Sequence, residues 1–101
     1  MRVIVMLKPT NKYGTKMEYS KFRKYLSQEG FLLVQSEVYI KTVSSRKSAN
    51  RQITKTRHCV PTTGRVLVYK ITENQFHSIQ YLVGKPSNQE NIVGANGIVQ
   101  I

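Results

Sequence analysis

The sequence contains no aspartate. Its five acidic residues are all glutamates: Glu18, Glu29, Glu37, Glu73 and Glu90. Hard divalent cations such as Mg²⁺ and Mn²⁺ need converging carboxylates, so this shortage argues against a metal-centred active site. No two of the glutamates are spaced for paired acid–base work. The single cysteine, Cys59, excludes an internal disulfide framework and fits a reducing cytosol. His58 beside it does not make a catalytic pair, because such partners are typically distant in sequence and neighbours rarely face each other. One cysteine and two histidines also fall short of a structural zinc set. No apolar run approaches the roughly 20 residues of a membrane-spanning helix. The opening stretch from Arg2 to Leu7 is too short for a secretion-signal core and carries no small-residue cleavage site. There is no glycine-rich phosphate loop, no base-reading recognition helix and no aromatic RNA-binding strand motif. A cytoplasmic protein without a membrane partner is the expectation.

What the chain has in excess is positive charge. Sixteen lysines and arginines stand against the five glutamates, giving a formal net charge of +11 over 101 residues. At this length one domain with one small core is expected, and an imbalance of that size in one domain points to a polyanion. The cations fall into two groups. Lys8, Lys12, Lys16, Lys21, Arg23 and Lys24 belong to the first loop and helix. Lys41 and the segment 44–60, with Arg46, Lys47, Arg51, Lys55 and Arg57, form the second. A charge run usually marks only a solvated face; here too few acids are present to compensate it. Contacts to phosphates would be mostly independent of sequence.

The apolar run Val3–Leu7 reads as a strand buried on both faces and ended by Pro9. Thr15-x-x-Glu18 is a capping box opening a helix whose buried arc is Tyr19, Phe22, Tyr25 and Leu26, with Gly30 as its left-handed cap. Phe31 to Val43 reads as one long strand with a bulge or bend near Gln35-Ser36. The basic segment, with only Ala49 and Ile53 to anchor it, is either a weakly held helix or a mobile arm. Pro61 to Gly64 is a turn and Arg65 to Ile71 a strand. Thr72-x-x-Gln75 is a second capping box, opening a helix with an apolar stripe of Phe76, Ile79, Leu82 and Val83. Residues 87–97 are expected as loop and 98–101 as a short last strand. The order β-α-β-(basic segment)-β-α-β predicts an α+β sandwich of ferredoxin-like type. In such folds the end of a strand collects functional side chains, and here that position is Lys8, which can meet a phosphate but cannot bind a metal ion.

Several segments carry a resemblance. They are Met1–Met6, Tyr19–Leu26, Glu29-Gly30-Phe31, Gln35–Tyr39, Thr72–Phe76 and Tyr81–Gly84. In order and spacing they resemble the small CRISPR-associated adaptation proteins (the Cas-two family), in the form that accompanies single-effector systems. The resemblance implies a ferredoxin-like homodimer in which the C-terminal tail, 87–101, supplies a strand completing the partner's sheet. It also implies a place in antiviral spacer acquisition: a bridge between dimers of the CRISPR integrase that holds a short duplex, the prespacer. Some members are endoribonucleases or deoxyribonucleases using Mg²⁺ or Mn²⁺, held by an aspartate at the end of the first strand. Where the family has Met-Phe-Asp-(hydrophobic)-Pro, this chain has Met6-Leu7-Lys8-Pro9-Thr10. No other aspartate can substitute. The expectation is therefore a scaffold with no catalytic residues and no metal cofactor, meeting duplex DNA through Lys8, Lys12, Lys16, Arg46, Lys47 and Arg51. The alternatives are a metal-dependent nuclease and a generic RNA-binding domain.

Overall fold

The structure, a computed structural model, describes residues 1–11, 14–85 and 99–100. The elements run β1 (Arg2–Lys8), α1 (Thr15–Gln28), β2 (Leu32–Gln35), β3 (Val38–Thr42), α2 (Arg46–Arg57), β4 (Arg65–Ile71), α3 (Glu73–His77), β5 (Gln80–Tyr81) and β6 (Val99–Gln100). The first four strands form one antiparallel sheet in the order β2-β3-β1-β4. With α1 and α2 as its helices this is the ferredoxin-like α+β arrangement. A separate two-stranded ribbon pairs β5 with β6 in parallel, so the expected last strand exists and pairs within its own chain.

β1 is central and, as its apolar run requires, buried on both faces. Val3, Val5 and Leu7 point to the helices, where they meet Tyr19, Phe22 and Leu26 of α1, together with Phe31, Tyr39 and Ala49. Each such fully buried large side chain contributes roughly 1.5–3 kcal/mol. Ile4 points to the opposite face and packs with Ile40 and Phe76, joined by Met6, Val34, Val38, Ile71 and Ile79. The C-terminus of α1 closes as the sequence predicts. Gly30 sits at φ +91, its N–H donates to Ser27 O, and Phe31 N–H donates to Leu26 O, the paired bonds of a Schellman cap.

Four expectations are corrected. Phe31–Val43 is not one strand: the chain reverses at Ser36-Glu37 to form the β2–β3 hairpin. No Gly, Pro or Asn marks that turn; Glu37 itself takes the left-handed conformation at φ 65. It is held there by Arg23, which donates to both of its carboxylate oxygens at 2.9 Å, and by its own carbonyl, which accepts from Leu7 N–H. The first capping box does not form. The N-cap of α1 is Gly14, while Thr15 shares a hydrogen bond with the Thr63 hydroxyl and Glu18 accepts from Thr62. The second box does form, Thr72 with Gln75, but α3 ends at His77, leaving Leu82 and Val83 exposed rather than on a helix stripe. Consequently the second helix of the ferredoxin motif is the basic segment, which is a twelve-residue helix and not an arm.

Two contacts fix the ends of β1. Gly64, at φ +78, lies where a Cβ would collide with Tyr19 Oη and come within 2.6 Å of Lys8 O. Gly64→Ala is therefore expected to cost roughly 2–4 kcal/mol from left-handed strain and overpacking, read as a drop in the denaturation midpoint. At the other end, Glu73 receives the Met1 ammonium and the Arg2 guanidinium, and Arg2 lies 3.7 Å over the Phe76 ring. The Arg2 hydrogen bonds hold the Glu73 carboxyl below its ordinary value of 4.5, against a smaller opposing effect of burial. Because its folded value is depressed, this stabilisation is full above about 4.5 and is lost as the pH falls through the folded value. Thermal midpoints measured down through this range should fall more steeply for the wild type than for Glu73→Gln.

Candidate nucleic-acid interface

α2 begins at Ser45, an extended N-cap residue whose hydroxyl accepts from Ser48 N–H at 3.1 Å. Its buried stripe is Ala49, Gln52 and Thr56, mostly polar and therefore satisfied by hydrogen bonds. Gln52 is the hub. Its amide oxygen accepts from Lys41 Nζ at 2.6 Å, and its nitrogen donates to Glu29 at 3.2 Å and to Thr56 Oγ1 at 3.3 Å. Lys55 Nζ reaches Glu29 at 2.9 Å. The hydrogen bonds from Lys55 and then Gln52 hold the Glu29 carboxyl below its usual range, and Glu29 in turn raises Lys55. Lys70 Nζ donates to Asn50 at 2.6 Å. Three lysines, Lys41, Lys55 and Lys70, thus serve to dock the helix onto α1 and the sheet.

The remaining cations of α2 have no such role. Arg46, Lys47, Arg51 and Arg57 are exposed, and among the described residues none is ion-paired. Arg46 and Lys47 sit in the first turn, where the positive end of the helix dipole disfavours each by about 0.3–1 kcal/mol. Among the described residues no carboxylate is left to neutralise them. Glu18 is engaged with Thr62, Glu29 with Lys55 and Gln52, Glu37 with Arg23, and Glu73 with Met1 and Arg2. Glu90 lies outside the described residues.

The sequence-predicted site residues do not form one cluster. Lys8 and Lys16 are exposed at the end of β1 and in the first turn of α1, close in space because Thr15 bridges Thr10 and Thr63. Arg46 and Lys47 lie at the opposite end, where Val43 N–H donates to Met1 O. A seven-residue strand, roughly 20 Å, separates the two ends. Arg51 stands between them on α2, and Lys12 lies outside the described residues. Sequence reasoning passed over Arg65 as an ordinary strand residue; antiparallel pairing sets it directly opposite Lys8. Only the β1–β4 register could reveal that.

A divalent cation does not suit the end of β1. The hollow there is lined by Lys8, Pro9, Thr10, Gly64 and Arg65, two cations and no carboxylate. Among the described residues no three His, Cys, Asp or Glu side chains come together as a metal site would require. No helix among them is long and apolar enough to cross a membrane.

A ferredoxin-like domain with a cationic helical layer and an apolar opposite face is thus the class defined by the fold. The family description "CRISPR associated protein Cas2" matches residues 10–79. The chain is 33% identical over 86 residues to the CRISPR-associated endoribonuclease Cas2 of Ligilactobacillus salivarius (strain UCC118), covering 84% of this chain and 85% of that one. It is 36% identical over 86 residues to the protein of that name from Parvibaculum lavamentivorans, again 84% and 85%. To that of Acidovorax ebreus it is 31% identical over 96 residues, 94% of each. The chain belongs to the CRISPR-associated protein Cas2 family.

Because Gln52 satisfies Lys41, Glu29 and Thr56 at once, Gln52→Ala should cost about 1–3 kcal/mol. That corresponds to roughly 4–8 °C of thermal midpoint per kcal/mol for a domain near this size. Substitution of the exposed neighbour Thr54 by Ala should leave the midpoint nearly unchanged.

Proposed function

We propose that this protein is a non-catalytic, duplex-DNA-binding scaffold of CRISPR spacer acquisition, bridging integrase subunits and holding the prespacer as a homodimer. The observation that carries the reading is the accounting of charge. Every described carboxylate is engaged inside the fold, while Lys8, Lys16, Arg46, Lys47 and Arg51 stand exposed and, among the described residues, without acid partners. Exposed cations of this kind suit phosphates and repel metal ions, although Lys8 lies at the opposite end from Arg46 and Lys47. Lys12 joins it from the first loop by sequence.

The opposite face supports the dimer. Tyr69 (45% exposed), Leu82 (72%) and Val83 (90%) border a groove of about 390 Å³ floored by Ile4, Met6, Val38 and Ile40, and Leu67 (58%) is exposed on the same strand as Tyr69. An apolar patch of this kind marks an interaction surface. β4 is an edge strand of the sheet, and an exposed apolar edge invites another strand. A second copy covers both features if its β5–β6 ribbon, already paired within its own chain, adds its outer strand to this edge, which leaves the two cationic helical layers facing outward. The relatives' name favours a second reading, a metal-dependent nuclease; in this chain Lys8 and Arg65 at the end of β1 weigh against it.

In fluorescence anisotropy with a short duplex, affinity should fall with salt at about 0.9 log units per log unit of salt for each neutralised phosphate. Reversing Arg46, Lys47 and Arg51 to Glu should weaken binding and flatten that dependence. Unchanged affinity and slope would remove α2 as the contact surface. Light scattering should report a dimer, and co-expression with the integrase subunit should yield a ternary complex with duplex. Cleavage of RNA or DNA with Mg²⁺ or Mn²⁺, abolished by a Lys8 substitution, would establish the nuclease reading instead.

A further inference from the structure

We infer that Lys8 and Arg65 together clamp one phosphate group of the nucleic-acid backbone, at the strand end where the family's metal-binding aspartate is replaced. The inference rests on the duplex-binding reading and assigns a role to Arg65, which that reading does not use. Three observations carry it. First, Lys8 and Arg65 are directly opposite one another at the last position of the β1–β4 ladder. Like charges in that relation destabilise a sheet, and neither pairs with a carboxylate among the described residues. Glu18 and Glu37, which lie toward this end, are engaged by Thr62 and Arg23. An anion between the two cations removes the repulsion.

Second, the space between them is open and its floor is closely packed. The two side chains border a hollow of about 460 Å³ whose other lining residues are Pro9, Thr10 and Gly64. Gly64 brings its backbone against Lys8 O and Tyr19 Oη, where any side chain would collide, and Tyr19 Oη donates to Thr63 O at 2.7 Å. The start of β4, and with it Arg65, is thereby fixed relative to the end of β1. Third, the donor types suit one phosphate. A guanidinium presents a planar fork to two of its oxygens, and an ammonium adds a compact point charge beside it. The clamp carries its own cations, so it requires no dissociable metal.

The experiment compares Lys8→Gln, Arg65→Gln and the double variant of the full chain, each titrated into a short duplex across a salt series with EDTA present. Each single variant should lose about tenfold in affinity. Because both groups serve the same phosphate, the double variant should flatten the log–log salt slope by about 0.9 for each protomer in contact with the duplex, no more than the single variants do together. Removing two opposed cations should leave the thermal midpoint equal to or above wild type, which shows that the variants fold. A slope change near twice 0.9 per bound protomer means two separate phosphates for Lys8 and Arg65 and overturns the clamp, as does no change in slope or affinity. A parallel arm raises inorganic phosphate at constant ionic strength and follows the thermal midpoint. A rise in wild type that is absent from the double variant supports the clamp even where wild type fails to bind duplex, in which case it is the scaffold reading that fails. No rise in wild type, together with no duplex binding, overturns both.

Discussion

Scarcity of carboxylate governs this molecule. Five glutamates must serve a chain carrying a formal net charge of +11, and the fold spends four of them as tethers. Glu73 ties the chain start to α3, Glu37 stiffens the β2–β3 turn, Glu18 holds the 61–64 bend and Glu29 docks α2. Each tether adds to apolar burial in placing a loop or helix of a domain with a small core. Among the described residues the cations left over have no carboxylate counterion, so the helical layer is strongly positive.

The second constraint is the double-sided burial of β1. Val3, Val5 and Leu7 require a helical layer on one side, and Ile4 with Met6 requires cover on the other. α3 is only five residues long, and with Ile79 it covers just part of that second face. The uncovered remainder, with β4 exposed at the sheet edge, leaves an apolar patch opposite the cationic helical layer, with Lys8 and Arg65 at one end of it. α2 completes that layer. It is docked by Ala49 and by the hydrogen bonds of Gln52, so its outer side is free to carry Arg46, Lys47 and Arg51.

How much was legible beforehand depends on the signal each element carries. The two-sided apolar run of β1, the arc of α1 with its glycine cap, and the alternation of β4 are strong patterns, and all three are present in the structure. The β2–β3 hairpin was hidden because period-two alternation continues through Val34, Ser36, Val38 and Ile40, while a glutamate takes the left-handed turn position. α2 was ambiguous because its buried stripe is polar and its anchors lie on other elements. The first capping box was misleading because Thr15 and Glu18 found partners 44 or more residues away.

From the sequence alone came the charge imbalance, the missing aspartate, the lysine at the end of β1 and the ferredoxin-like α+β class, since composition and local periodicity need no knowledge of which segments meet. Tertiary structure decided the rest: that the basic segment is the second helix of the motif, that Lys8 and Arg46 stand at opposite ends, and that Arg65 faces Lys8. These follow from strand register and from hydrogen bonds between residues far apart in the chain, and no local pattern encodes either.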